Sequence, residues 1–169
     1  RLLDKYGIEY DDKLIITLVE EYRNHFPKIE FYPDVIPCLE YLRSNDIKLG
    51  IITDGYVKTQ RQKLKAVKAE KYFDEIIVTD ELGREFWKPH PKAYEIMRAR
   101  LNVEFREMVY VGDNPKKDFY IKSLYPITTV RVNREGFYSK ASYFEEVKEN
   151  IYIKSLSELR FIEQIRGEI

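Results

Sequence analysis

Short apolar runs alternate with helix-period patterns along most of this chain. Residues 49–53 (LGIIT), 75–79 (EIIVT), 108–112 (MVYVG) and 128–132 (TTVRV) are rich in β-branched residues, and the first three barely alternate with polar ones. Runs of that length and composition suit strands buried on both faces, as in a parallel sheet. Residues 151–153 (IYI) make a weaker fifth strand. Between the runs, Val35, Ile36, Leu39 and Leu42 recur at helical spacing behind Asp34, which reads as an N-cap. Tyr94, Met97 and Leu101 do the same behind Pro91, a residue suited to a first helical position. A last helix is expected over residues 156–165, with Leu159, Ile162 and Ile165 on one face. Strand–helix alternation of this kind predicts a three-layer, doubly wound α/β domain of Rossmann-like type, with ligands at the carboxyl ends of its parallel strands.

The first thirty residues follow another pattern. Leu14, Ile15, Leu18, Val19, Tyr22 and Phe26 make one amphipathic helix with no strand beside it. Asp11 and Asp12 stand at its start, where acidic groups cap the free N–H groups. Phe31-Tyr32-Pro33-Asp34 then punctuates the chain. The expected organisation is therefore a helical layer over residues 1–31 and an α/β core over residues 32–169. The chain opens at Arg1, in a stretch that already reads as the inside of a helix.

Composition narrows the setting. Lysine plus arginine and aspartate plus glutamate number 29 each, so no global charge draws the chain to nucleic acid or an anionic membrane. Cys38 is the only cysteine, which rules out an internal disulfide within this chain and suits a reducing, cytoplasmic setting. No apolar run approaches the roughly 20 residues of a membrane-spanning helix. The partner expected is a small molecule, without nucleic acid or membrane; the oligomeric state is left open.

The strand ends carry the chemistry. The first strand runs into Thr53-Asp54-Gly55, the third into Gly112-Asp113-Asn114-Pro115-Lys116-Lys117-Asp118, and Trp87-Lys88-Pro89-His90-Pro91 follows the second. Taken singly, each has an ordinary reading: a polar strand end, a loop with a solvated lysine, a turn before a helix. Together, in this order and on this side of the sheet, they suit phosphoryl transfer, which depends on positioning and charge neutralisation. Thr53 and the backbone N–H groups of Asp54 and Gly55 can donate to phosphate oxygens, and glycine lets the backbone come close. Lys88 supplies a point cation. Asp113 can hold Mg²⁺, and Asp118 can reach the metal's waters or the lysine head.

The series Thr53, Lys88 within KPxP, then Gly112-Asp113 with Asp118, resembles the second, third and fourth motifs of the haloacid dehalogenase-like (HAD) superfamily. The resemblance spans residues 32–132. It implies that Thr53 binds the phosphoryl group, Lys88 steadies nucleophile and phosphate, Asp113 ligates Mg²⁺ and Asp118 supports that shell. It also implies a helical cap, whose tail residues 1–31 would be, and a small phosphorylated metabolite as substrate. The family's first motif, an Asp-x-Asp whose first aspartate becomes an aspartyl-phosphate, has no counterpart here. Asp11-Asp12 follows no buried strand and reads as a cap. The expectation is thus that the nucleophile lies upstream of Arg1 and that the core lacks its first strand.

Other features weigh less. Lys58, Arg61, Lys63, Lys65, Lys68 and Lys71 form a basic stretch best read as a solvated helix. Trp87 and His90 flank Lys88 and either touch substrate or pack; His25, His90 and Cys38 lack zinc-ligand spacing. Residues 134–138 read as a rim loop with no assigned task. A non-catalytic phosphate- and metal-binding module is the alternative from another class. Receiver-type signalling domains place the acceptor aspartate before the threonine and lysine, the reverse of this order. A dehalogenase has no use for a Mg²⁺ shell. The 169-residue polypeptide alone is expected not to hydrolyse phosphate esters, and robust Mg²⁺-dependent turnover by a mass-verified sample would contradict this.

Overall fold

The computed structural model describes residues 2–136, 138–162 and 165. The helices are α1 (Leu2–Lys5), α2 (Asp12–Asn24), α3 (Val35–Ser44), α4 (Val57–Ala66) and α5 (Lys92–Leu101). The strands are β1 (Gly50–Thr53), β2 (Glu75–Val78), β3 (Val109–Gly112), β4 (Thr128–Val132) and β5 (Ile151–Ile153). All five strand runs expected from the apolar pattern are strands, and every pairing is parallel.

The strands do not make one continuous sheet. β1 pairs with β2, and β3, β4 and β5 form a second sheet in that order. Among the described residues no strand lies between β1 and β3, so the two sheets meet through side chains. On one face Ala93 and Met97 of α5 pack with Ile77 and Ile52 of the first sheet, while Tyr94 packs with Tyr110, Ile121 and Ile127 at the second. On the other face Cys38, Leu39 and Leu42 of α3 share a cluster with Leu49, Val130, Ile153, Leu159 and Ile162. In α3 the contacts come from residues 35, 38, 39 and 42, at i, i+3, i+4 and i+7, the stripe that a helix covering a sheet must bury. Sheets flanked by helices on both faces are the expected α/β architecture, and no helix among the described residues is long and apolar enough to cross a membrane.

Three local expectations are corrected. Asp34 sits at the N-cap position of α3, yet its side chain makes no capping bond. It instead accepts from Arg134 Nη2 at 2.8 and 2.9 Å, the Ser155 hydroxyl at 2.9 Å and the Leu156 N–H at 2.8 Å. Three stronger donors from distant segments outcompete the local one. The last helix is a 3-10 turn, Leu156–Phe161, broken at Ile162, whose backbone is extended. Leu159, Ile162 and Ile165 are nonetheless buried, and the expected helix also crosses residues 163 and 164, outside the described residues. Phe26 lies beyond the end of α2, because the chain turns extended at His25.

α2 begins as expected. Asp11 accepts from the Leu14 N–H at 2.7 Å and caps the helix, so its carboxylate is engaged in structure. None of its residues is buried, and Ile16, Leu18 and Tyr22 are exposed. It meets the core through its carboxyl end, where the Asn24 carbonyl accepts from Gln62 Nε2 at 3.0 Å and its side chain accepts from Lys58 Nζ at 2.5 Å. Lys58 of the basic stretch thus meets a helix carboxyl end, where positive charge is favoured, while Arg61 pairs with Glu81.

Asp34 yields a test. Burial opposes its ionisation, but the Arg134 guanidinium, the Leu156 N–H and the Ser155 hydroxyl outweigh this and hold its carboxyl below the usual aspartate range. A group with a depressed folded-state pKa stabilises above its unfolded pKa and loses that contribution as pH falls through the folded value. Asp34→Asn is expected to lower the unfolding free energy by about 1–3 kcal/mol at neutral pH. In urea titrations the gap from the parent chain should narrow as pH drops below the ordinary aspartate range.

Candidate active site at the carboxyl ends of the strands

The parallel register places Thr53, Val78, Gly112 and Val132 at the same end of their strands. Four connecting segments therefore lie at that end, and polar groups of the first three interlock. Lys88 lies at the centre. Its Nζ donates to Asp118 Oδ1 at 2.7 Å and to the Tyr110 hydroxyl at 2.9 Å, with its side chain only 10% exposed. Tyr110 in turn donates to the same Asp118 oxygen at 3.2 Å, and Asp118 Oδ2 accepts the Asn114 N–H at 2.8 Å. Burial works against the charge on Lys88, but the adjacent Asp118 carboxylate more than compensates and raises its pKa above that of a free lysine.

Asp54 forms a second node. Its Oδ1 accepts the Thr79 hydroxyl at 2.7 Å and the Lys88 N–H at 3.1 Å; its Oδ2 accepts Lys117 Nζ at 2.9 Å. The carboxylate expected to act only through its backbone thus ties β1 to the Lys88 loop and to the loop after β3. Thr53 joins through its carbonyl, 3.3 Å from the Thr79 hydroxyl, while its own hydroxyl donates to Gln60 Oε1 at 2.9 Å. Gly55 has φ +127°, and a Cβ there would stand 2.5 Å from the Gln60 side chain. The glycine is therefore required by conformation, while the flexible Gln60 amide is the neighbour that an added Cβ would have to displace.

Asp113 sits beside this network. Burial and the neighbouring Asp118 carboxylate push its pKa up, against the pull of Lys88. Gly112 explains how Asp118 comes so near: a Cβ on Gly112 would lie 2.5 Å from Asp118 Oδ2. A cavity of about 470 Å³ opens beside Asp113, lined by Tyr32, Gly112, Asn133, Arg134, Gly136 and Ser139 among others. The rim loop without an assigned task forms one wall of it; Phe137 of that loop is outside the described residues.

All six expected site residues, Thr53, Asp54, Gly55, Lys88, Asp113 and Asp118, thus lie on one edge. Asp118, however, is 2% exposed, and three donors already occupy its oxygens. Among the described residues no group of three or more His, Cys, Asp and Glu side chains could enclose a metal. Mg²⁺ needs no such cage: it binds through one or two carboxylates and keeps waters and substrate oxygens in its other positions. Asp113 fits that role. The Trp87 Nε1 donates to Asp80 at 3.2 Å and its ring carries Lys117 Nζ at 5.3 Å.

A family model described as haloacid dehalogenase-like hydrolase matches residues 1–121. The chain belongs to the haloacid dehalogenase-like hydrolases. It is 37% identical over 134 residues to a glyceraldehyde 3-phosphate phosphatase of Methanopyrus kandleri, covering 79% of this chain and 57% of that protein. It is 29% identical over 134 residues to (S)-2-haloacid dehalogenase 4A of Burkholderia cepacia, covering 79% and 55%. The crystal structure of a HAD phosphatase from Thermococcus onnurineus superposes with a TM-score of 0.67 at 34% identity, over 94% of this chain and 67% of that one. The chain spans about half the length of the named relatives it matches in sequence. Within the HAD hydrolases, then, both phosphatases and dehalogenases are similar to it.

Sequence reading missed Tyr110, Thr79, Asn114 and Lys117. Tyr110 lies in β3 and Thr79 directly after β2, both in runs read only as apolar, and a buried hydroxyl leaves no periodic mark. Lys117 stood inside the motif, but nothing local tells which way a lysine in a turn points.

The Lys88–Asp118 pair sets the prediction. Removing one partner of a buried pair leaves an uncompensated charge, which costs about 3–5 kcal/mol. Asp118→Leu and Lys88→Met are each expected to destabilise to that extent in urea unfolding. The double variant should cost markedly less than the two singles added together.

Proposed function

We propose that this HAD-like chain carries the phosphoryl- and metal-binding groups of a Mg²⁺-dependent phosphatase acting on a small phosphorylated metabolite. The observation that carries this reading is the convergence of Lys88, Lys117, Asp54 and Asp118 at one strand edge through contacts of 2.7–3.1 Å, with Asp113 beside them on the cavity wall. Two ammonium groups, Lys88 and Lys117, stand there against three carboxylates. A phosphoryl dianion meets net negative charge at such a site, so a divalent cation on Asp113 supports its entry. Bound there, Mg²⁺ would neutralise charge on the phosphoryl oxygens.

The chain's own residues do the remaining work in this reading. The N–H groups of Asp54 and Gly55 and the Thr53 hydroxyl, released from Gln60, donate to equatorial oxygens. Lys88 contributes a protonated ammonium that cannot drift, because Asp118 anchors it. The reading implies an aspartyl-phosphate. Asp54 and Asp118 are unsuited to form it: the first is held by Thr79, Lys88 and Lys117, the second by Lys88, Tyr110 and Asn114. Asp113 is needed for the metal. Dehalogenation, the chemistry named for the Burkholderia relative, gains nothing from a metal carboxylate, and Asp113 favours the phosphatase over it. Residues 1–31 are read as the tail of a helical cap, since α2 buries none of its side chains in the core.

Calorimetric titration of the chain with inorganic phosphate, with and without Mg²⁺, tests the site. Phosphate should bind about tenfold or more tightly with Mg²⁺ present, equivalent to about 1.4 kcal/mol. Asp113→Ala should erase that difference, and Lys88→Ala should weaken binding whether or not Mg²⁺ is added. Absence of any Mg²⁺ effect on phosphate affinity would overturn the reading.

A further inference from the structure

We infer that Tyr110 is a positioning residue that aims Lys88, leaving a single ammonium N–H directed at the reaction centre. The inference rests on the phosphatase reading for its purpose, but its geometry stands independently. A lysine ammonium has three protons to donate and no acceptor. One goes to Asp118 Oδ1 at 2.7 Å and a second to the Tyr110 hydroxyl oxygen at 2.9 Å. The Tyr110 hydroxyl proton closes the triangle on Asp118 Oδ1 at 3.2 Å. With Asp118 alone, the ammonium could rotate about that one contact and its other protons would sweep a cone. With Tyr110 as well, two of the three directions are taken and the third is determined.

The phenol is itself closely packed. Tyr110 projects from β3 on the face opposite Val109 and Val111, which pack into the α3 cluster. The fully buried Tyr94 ring of α5 stands edge-on against it at 4.9 Å. Burial, followed by the neighbouring Asp118 carboxylate, raises the Tyr110 pKa, so the phenol keeps the proton that it donates. A phenylalanine here would fill the same space and pack against Tyr94 equally well. Ring packing by itself therefore does not require the hydroxyl, whose polar neighbours are Lys88, Asp118 and the Tyr94 hydroxyl.

The test is solution NMR of the chain with ¹⁵N-labelled lysine. In the parent chain the Lys88 ammonium should give a resolved, slowly exchanging signal, with a nuclear Overhauser contact from its protons to the Tyr110 hydroxyl proton. Tyr110→Phe, with its backbone amide spectrum otherwise preserved, should raise the exchange rate of the Lys88 ammonium at least tenfold and weaken inorganic phosphate binding by a similar factor. Tyr125→Phe, which removes a partly exposed tyrosine hydroxyl bonded to Glu95, should change neither. An exchange rate within twofold of the parent in Tyr110→Phe would overturn the inference, as would a missing Overhauser contact in the parent chain. The exchange rate decides the role of Tyr110 whether or not phosphate binds. Failure of the parent chain to bind phosphate would instead count against the phosphatase reading.

Discussion

The ion pair between Lys88 and Asp118 is the constraint on which this arrangement turns. β1 and β2 belong to one sheet and β3, β4 and β5 to another, with no backbone pairing between them among the described residues. At the carboxyl ends of the strands they are joined by this pair and by the Asp54–Lys117 pair, each spanning from one sheet's loops to the other's. A buried ion pair is a poor way to gain stability, because desolvating two charges consumes most of their attraction. It is a good way to define position, since either charge left alone is strongly penalised and alternative arrangements are excluded. α5 complements it from below, its Ala93, Tyr94 and Met97 reaching both sheets.

Saturation of Asp118 divides labour between the two acids of the β3 loop. Asp118 is fully engaged by Lys88, Tyr110 and Asn114. Asp113 has fewer partners, is less deeply placed and borders the cavity. In the proposed function the first holds the cation of the protein and the second the cation of the solvent. Gly112 makes this possible by letting the Asp118 carboxylate fold back against the end of β3, where any side chain would collide with it.

The aromatic residues adjoining Gly55 and Lys88 lie close to cations. Tyr56, directly after Gly55, has Arg23 of α2 at 4.1 Å and Arg84 at 4.9 Å, and meets Trp87 edge-on at 6.1 Å. These contacts, with Asn24 gripping α4, are how the helical layer registers on the core. They leave the apolar side of α2 uncovered while fixing its carboxyl end.

The sequence by itself determined the strands, the α/β class, the family resemblance and the six strand-end residues. Each is written in local signals: β-branched runs, helical periodicity, and polar residues placed just past a strand. What only the tertiary structure decided is how those residues share their hydrogen bonds. Asp34 reads locally as a cap, yet Arg134 and Ser155, about a hundred residues away, claim it. Asp54 reads as backbone, yet its carboxylate ties together three other segments. The final turn reads as a helix, yet becomes a short 3-10 segment because buried Leu159 and Ile162 settle into a cluster shared with α3. Local patterns specify which face of an element is apolar; which carboxylate meets which cation depends on loops closing across sequence distances that no period records.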